Sequence, residues 1–549
     1  MRPQHAVGGP GPLRLVLATS AAMATLGNWP LWQALAELGL LQSPKGWSLA
    51  AALAVAVFAA LVALQSLLAW RYTLKPAAML LLLAAAAGAH FMLAYRIVID
   101  STMLVNVLQT NPREAVDLVS PRMAATLLLG GLLPAWLVWR MPVHYGRWPR
   151  RLGRNALAVL AALALVVLAV LASFQPLSST MRNHKQLRYL LNPLNAVYAL
   201  GMVATEPLRR TDNSLQPLGT DVQFVASTAA GAKPPLLLLV VGETARAANF
   251  SLNGYARSTN PELAKLPVIN WRNAWSCGTN TAASLPCMFS HLGRDDYSGR
   301  KANHENLLDL AQRAGLAVLW LDNQAGCKGL CARVPHVDTS ALKHPTLCVD
   351  GECWDPIMLD GLDARIAALP AAQRAKGVLL VMHQMGSHGP AYFKRVPPNA
   401  KRFMPECSSN ALQDCSREQL VNAYDNTIAY TDQFLAQAIG WLQQRAAVND
   451  TALVYVSDHG ESLGESNLYL HGLPYSIAPD LQKHVPWITW LSPGFALHQQ
   501  LDAACLRGRT ATEISHDNYF HSVLGLLDLR TSVYQPALDA YAACRGPRP

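Results

Sequence analysis

Residues 236–244 read Leu236-Leu237-Leu238-Leu239-Val240-Val241-Gly242-Glu243-Thr244. Six apolar residues without polar alternation describe a strand buried on both faces, and a Gly-Glu-Thr ending puts a carboxylate where that strand stops. Similar runs recur at Leu316–Leu321, Gly377–Met382, Ala452–Val456 and Pro486–Leu491. Helical patterns separate them, at Glu305–Ala314, Asp360–Ala368, Arg417–Gln444 and Ser515–Leu526. Strands that alternate with helices predict an α/β domain around a mostly parallel central sheet.

In open sheets of this kind, ligands gather beyond the carboxyl ends of the strands. The strand at 452–456 runs into Ser457-Asp458-His459-Gly460-Glu461-Ser462, and the strand at 377–382 into His383-Gln384-Met385-Gly386-Ser387-His388-Gly389-Pro390. His471-Gly472 follows in the next loop. Glu243, Asp458 and His459 supply two carboxylates and an imidazole, a donor set suited to zinc. Gly460 is expected to ease the turn that aims both Asp458 and His459 at one ion. His388 and His471 are candidates for a second zinc or for hydrogen bonds to substrate oxygens, although a lone histidine ordinarily has a structural role.

Between the first two of these strands lies Ser276-Cys277-Gly278-Thr279-Asn280-Thr281-Ala282-Ala283-Ser284-Leu285-Pro286-Cys287. A disulfide across it would hold a hydroxyl-rich loop at the start of a helix, where backbone N–H groups favour anions. Thr281 is the candidate nucleophile, with its oxygen in the fourth zinc position, because a hydroxyl reacts only when a base or metal lowers its pKa. Taken alone, the stretch is equally an ordinary disulfide loop.

With 549 residues, 51% hydrophobic and 15% charged, the chain is long enough for more than one domain and too apolar for a fully soluble protein. The excess lies in the first third. Five spans are predicted, at about Leu13–Leu40 (interrupted by Trp29-Pro30), Trp47–Trp70, Ala77–Tyr95, Met123–Trp139 and Asn155–Ser173. Arg71, Lys75, Arg140, Arg147, Arg150, Arg151 and Arg154 fall on one side with the N-terminus. The positive-inside rule makes that side cytoplasmic and everything after Ser173 external.

All ten cysteines lie beyond Ser173, which indicates disulfides in an oxidising compartment rather than a zinc-cysteine site. Pairing between sequence neighbours gives Cys277–Cys287, Cys327–Cys331, Cys348–Cys353 and Cys407–Cys415, and leaves Cys505–Cys544. The net charge of +10 includes the arginine cluster and comes with no nucleic-acid motif. The expected organisation is a transmembrane domain at 1–173 with an outer loop at 96–122, a bridging helix and linker at 174–225, and a catalytic domain at 226–549. In the outer loop, Asp100 or Ser101 could cap one short helix, and Asn111-Pro112-Arg113-Glu114 resembles the start of a second. Asn106, Thr110 and Glu114 would then lie near one another. Leu190–Met202 has helical apolar spacing, which suits an interfacial helix and a plain linker helix equally.

Taken together, the segments Val241-Gly242-Glu243-Thr244-Ala245-Arg246, Cys277-Gly278-Thr279-Asn280-Thr281-Ala282, Cys327-Lys328-Gly329, Gly386-Ser387-His388-Gly389-Pro390 and Ser457-Asp458-His459-Gly460-Glu461-Ser462 carry a resemblance over nearly the full length. The chain resembles the lipid A phosphoethanolamine transferases, which include the mobile colistin-resistance enzymes and belong to the alkaline phosphatase and sulfatase superfamily. That resemblance implies an alkaline-phosphatase-like fold and zinc ligands Glu243, Thr281, Asp458 and His459, with Thr281 carrying the phosphoethanolamine. It further implies phosphoryl contacts or a second zinc at Lys328, His388 and His471, and a membrane-proximal substrate site at Asn106, Thr110 and Glu114. Ala325 departs from the family, which often carries serine there, so one headgroup contact is in question.

The implied reaction moves phosphoethanolamine from phosphatidylethanolamine to a lipid A phosphate, with His388 or His471 as general acid. It would occur in the bacterial inner membrane, on a monomer with a periplasmic catalytic domain, and would confer polymyxin resistance. Core heptose or a periplasmic glucan is the alternative acceptor. A membrane-anchored hydrolase on the same fold, or a metal- or lipid-binding module without turnover, is the alternative activity.

Overall fold

The computed structural model describes residues 10–110, 112–209 and 214–546. The chain divides into two compact units, one of Met1–Leu104 with Val119–Ala204 and one of Val105–Leu118 with Thr205–Pro549.

The first third forms helices α1 (Pro12–Ala22), α2 (Trp29–Glu37), α3 (Pro44–Leu67), α4 (Leu74–Ala94), α5 (Ser101–Gln109), α6 (Pro112–Asp117), α7 (Pro121–Arg140) and α8 (Trp148–Ala172). Among the described residues, α3, α4, α7 and α8 are long and apolar enough to cross a membrane. The interrupted segment expected at Leu13–Leu40 comprises two helices, the second starting at Trp29-Pro30, joined through a wide π turn at Met23–Gly27. Asn28 closes the break: its side chain is fully buried and donates to the carbonyls of Met23, at 2.8 Å, and Asn192. Asn192 in turn donates to the carbonyls of Gly27, at 2.8 Å, and Ala85, at 2.6 Å. In an apolar medium each unsatisfied backbone group is expensive, so two asparagines serve where helical pairing fails. Gly88 makes room for them, since a Cβ there would meet Asn192 Oδ1 at 2.6 Å. Two more helices follow, α9 (Phe174–Asn183) and α10 (Leu194–Arg209), the second with Tyr198 and Leu200 exposed.

The second unit is built on an eight-stranded sheet: β1 (Pro235–Gly242), β2 (Ile269–Trp275), β3 (Ala317–Asp322), β4 (His336–Asp338), β5 (Val378–His383), β6 (Asp450–Ser457), β7 (His484–Leu491) and β8 (Ile514–Ser515). The spatial order is β8-β2-β7-β6-β1-β5-β3-β4. Only β7 runs against its neighbours, pairing antiparallel with β6 and β2. Every residue of β1, β3, β5 and β6 is buried, as unbroken apolar runs require. Leu237, Leu239 and Val241 share one core with α12 (Leu307–Arg313, following α11 at Thr281–Met288) and with residues 519–526. Leu236, Leu238 and Val240 point the other way and are buried as deeply. Further helices are α13 (Leu362–Ala367), α14 (Arg417–Arg445), which lies against β6, and α15 (Tyr519–Leu526).

The strand β2, absent from the sequence reading, has the composition Ile-Asn-Trp-Arg-Asn-Ala-Trp. It buries Ile269, Trp271 and Ala274 on one side only, so no continuous apolar run marks it. The five disulfides are Cys277–Cys287, Cys327–Cys331, Cys348–Cys353, Cys407–Cys415 and Cys505–Cys544, the expected pairing.

Candidate metal centre and nucleophile

Because β1 and β6 are parallel neighbours, with Ser457 opposite Gly242, the two strands end at the same level. The next residues, Glu243 on one and Asp458-His459 on the other, are therefore thrown together, and all three are fully buried. One ligand atom from each lies within 4.8 Å of the others. Thr244, directly after Glu243, adopts φ +60°, and its N–H donates to Asp458 Oδ1 at 3.1 Å. A β-carbon residue in that conformation is strained, a cost met where the surroundings over-determine it.

Thr281 is the first residue of α11. Asn280 caps the helix by accepting from Ala283 N–H at 3.0 Å. Ser284, one turn on, donates to the carbonyl of Asp458 and accepts from Gly278 N–H at 3.0 Å, which ties the loop to β6. The result puts Thr281 Oγ1 at 3.2 and 3.1 Å from the two Glu243 oxygens and 3.5 Å from His459 Nε2. His516 locks the same loop from behind, accepting from Cys277 N–H and donating to the Ser457 carbonyl, each at 3.0 Å.

The electrostatics ask for a cation. Burial and the neighbouring Glu243 push Asp458 up to about 6. Burial opposes a charge on His459, but Asp458 and Glu243 outweigh it and raise the imidazole to about 9. Asp458 Oδ2, although buried, accepts no hydrogen bond from the described residues. His459 Nδ1 faces the Gly460 carbonyl at 2.9 Å, so Nδ1 carries the proton and Nε2 turns toward the carboxylates. Two carboxylates, an inward Nε2 and a hydroxyl form a donor set that fits a divalent metal ion.

Gly460 is needed for a different reason than expected. It is not in the left-handed region, but a Cβ there would meet the Leu481 carbonyl at 2.1 Å.

A layer behind these groups went unassigned in the sequence. His383, the last residue of β5, is fully buried between Asp322 at the end of β3, with Nδ1 to Oδ2 3.2 Å, and Glu243, with Nε2 to Oε2 3.8 Å. Burial disfavours its charge, yet Asp322 and Glu243 raise it to about 10. Burial alone would raise Glu243, but the neighbouring imidazoles of His383 and His459 hold it well below the usual carboxylate range. The strand-end rule that identified Glu243 applies equally to Asp322 and His383, and is the signal that could have found them.

His471 lies beside this cluster, its ring 4.2 Å from that of His459 and 6.1 Å from that of His388. Its Nδ1 is 3.4 Å from Glu461, which burial pushes up to about 8 and which accepts from Tyr392 at 2.9 Å. Lys328 sits in the Cys327–Cys331 loop after β3, with φ +49°, and its ammonium donates to the carbonyls of Ala325 at 3.2 Å and Gln109 at 3.4 Å. Gln109 ends α5, which carries Asn106; Thr110 follows directly after the helix, and its hydroxyl donates to the Asn106 carbonyl at 2.8 Å. The Glu114 side chain lies outside the described residues.

A family model described as Phosphoethanolamine transferase EptA/EptB matches residues 57–208, and one described as Sulfatase matches residues 235–529. The phosphoethanolamine transferase EptA of Salmonella typhimurium is 44% identical over 473 residues, 84% of each chain. This chain belongs to the phosphoethanolamine transferases. Its catalytic unit places it in the alkaline phosphatase superfamily. Phosphatidylethanolamine transferase Mcr-1 of Escherichia coli is 37% identical over 528 residues, 94% of this chain and 95% of its own. The integral membrane lipooligosaccharide phosphoethanolamine transferase A of Neisseria meningitidis superposes with a TM-score of 0.90 at 36% identity, covering 98% of this chain and 99% of that one.

Proposed function

We propose that this chain transfers phosphoethanolamine from phosphatidylethanolamine to a phosphate of lipid A, with Thr281 carrying the group between the two. The observation that supports it most is the Thr281 hydroxyl at 3.1 Å from Glu243, within a buried group able to hold a metal, in a chain of this family. Glu243, Asp458, His459 and Thr281 would hold one zinc, and His388 and His471 would border a second. When bound, zinc supplies Lewis acidity that lowers the hydroxyl pKa and offsets developing phosphoryl charge.

Thr281 Oγ attacks the phosphorus of the donor as its proton passes to the Glu243 carboxylate that it faces at 3.1 Å, a new Oγ–P bond forms, and the bond to the diacylglycerol oxygen breaks. The leaving oxygen takes a proton from the imidazole of His388 or His471. A lipid A phosphate oxygen then attacks the same phosphorus and returns the electron pair to Thr281. Lys328 and the first turn of α11 favour the negative charge on the phosphoryl oxygens. Asn106, Thr110 and Glu114 receive the donor headgroup on the membrane side.

The same reading makes the chain a five-span inner-membrane protein, monomeric, with its N-terminus in the cytoplasm, divided at 173 and 225 and with a periplasmic catalytic domain. Placing an ammonium-bearing phosphoethanolamine on a lipid A phosphate would reduce attraction for polymyxin. The match to the Sulfatase family model favours one second reading, hydrolysis of the phosphothreonine by water. Mass spectrometry of lipid A from cells expressing wild type and Thr281→Ala tests the first. We expect the phosphoethanolamine adduct with wild type only. The adduct with both chains would refute a Thr281 intermediate, and free phosphoethanolamine without an adduct would indicate the hydrolase.

A further inference from the structure

Of all the charged residues in the helical unit, only Glu37 and Asp100 are acidic. Glu37 is paired with Arg96 at 2.5 Å, and Asp100 accepts from Met103 N–H at 2.8 Å at the start of α5. The basic residues at the α3–α4 and α7–α8 turns therefore have no acidic partner within their unit. Between these two turns is a cleft of about 580 Å³, lined by Trp70, Arg71, Lys75, His144, Tyr145 and Arg151 among others. That volume is typical of a small-molecule site.

The cleft is built rather than a chance gap between mobile side chains. Arg151 is 7% exposed and anchored by its Nε to the Ala69 carbonyl at 3.0 Å, with its guanidinium 5.5 Å above the Tyr145 ring. Its two terminal amino groups have no hydrogen-bond partner among the described residues, and neither has the buried Tyr145 hydroxyl. Lys75 is held by the Trp139 carbonyl at 2.8 Å. Two indoles, Trp70 and Trp148, complete the lining, as side chains that settle at a membrane–water boundary do.

We propose that this cleft binds the phosphate of an anionic phospholipid headgroup, at a site separate from the transfer centre. Three cationic side chains, a planar guanidinium with free donors and an unpartnered hydroxyl match a phosphate ester. No carboxylate is present to receive an ammonium, so a headgroup with net negative charge is favoured over the zwitterionic donor lipid. Basic pockets between transmembrane helices recognise anionic headgroups by this chemistry.

The test is native mass spectrometry of the full-length protein, delipidated in neutral detergent and titrated with phosphatidylglycerol or phosphatidylcholine. A double variant, Arg71→Gln with Lys75→Gln, keeps the buried Arg151 intact, and its lipid A transfer in neutral detergent shows that it is folded. We expect wild type to retain phosphatidylglycerol over phosphatidylcholine, and the double variant to bind it about tenfold or more weakly, with salt weakening the wild-type interaction. A parallel titration with inorganic phosphate separates the sources. Displacement of phosphatidylglycerol by millimolar phosphate from wild type marks a general phosphate site, and resistance to it marks recognition of the whole lipid; both support an anion site. Equal retention of the two lipids, or undiminished phosphatidylglycerol binding by the double variant, overturns the proposal.

Discussion

At the scale of single residues, the site rests on side chains that aim other side chains. His383 stands between Asp322 and Glu243, its Nε2 3.8 Å from the carboxylate that meets Asp458 and His459. Groups in that outer position set the orientation of a metal ligand and its basicity, and their loss typically weakens metal affinity 10–100-fold. We expect His383→Ala to lower zinc affinity by about that factor in a chelator-competition titration, while Thr281 and the three ligands stay in place. Affinity equal to wild type would rule out this role for His383. Thr281→Ala should instead retain metal through Glu243, Asp458 and His459 and lose transfer to background, whereas Thr281→Ser, which keeps the hydroxyl, should retain part of it. Metal content and product yield, measured on the same preparations, separate the two classes of residue.

Among the elements, α6 and the turn behind α11 show how local structure reaches the site. Asp117, the last residue of α6, is 2% exposed and bound by Lys394 at 2.5 Å and Arg395 at 2.8 Å. Arg395 also binds Glu352 at 2.6 Å and donates to the His388 carbonyl at 2.9 Å, so one guanidinium joins α6, a disulfide hairpin and the His388 loop. Arg395→Ala would leave the buried Asp117 with Lys394 alone and break the links to Glu352 and the His388 loop, at a cost of up to about 3–5 kcal/mol in chemical denaturation of the catalytic unit. A loss below about 1 kcal/mol would mean that water or Lys394 replaces the guanidinium.

Behind α11, burial drives His516 down to about 3, and the nearby His459 adds to the effect. An unfolded histidine titrates near 6.5, so the fold excludes a proton that the unfolded chain accepts. Its contribution is complete above about pH 6.5 and is lost as pH falls toward 3, at up to about 1.4 kcal/mol per pH unit. Between pH 6.5 and 5, wild type should therefore lose more stability than His516→Gln, as read by denaturant midpoints. Equal losses in both would show that His516 is not held neutral.

Across the whole molecule, covalent and polar devices are divided between the two units. All five disulfides lie in the catalytic unit, and four of them close loops of ten residues or fewer. The exception, Cys505–Cys544, spans 39 residues. Loop-closure entropy gives about 4 kcal/mol for that bond and about 2 kcal/mol for the four-residue Cys327–Cys331 loop. Replacing both cysteines of each pair by serine should reproduce that order in the unfolding free energy of the catalytic unit. A larger loss from the short loop would point to native contacts around Lys328 rather than chain entropy. The helical unit has no cysteine and relies on buried amides such as Asn28 and Asn192 to seal its broken helix.

Period and composition determined much of this protein by themselves. Unbroken apolar runs yield buried strands whatever surrounds them, which is why β1, β3, β5, β6 and β7 fall within two residues of their expected positions. Strand-end chemistry located Glu243, Asp458 and His459, and confinement of cysteine to one part of the chain foretold the disulfides. Only the tertiary structure decided the rest. Trp29-Pro30 marks the interruption of Leu13–Leu40 in the sequence, but what seals it is Asn192, more than 150 residues away, and local pattern carries no record of so distant a partner. The same holds for β2, whose half-buried alternation gains meaning only between β7 and β8. Asp322 and His383 acquire a role from the parallel register that sets β3, β5 and β1 level. Register is a property of paired strands, and a single chain read along its length does not contain it.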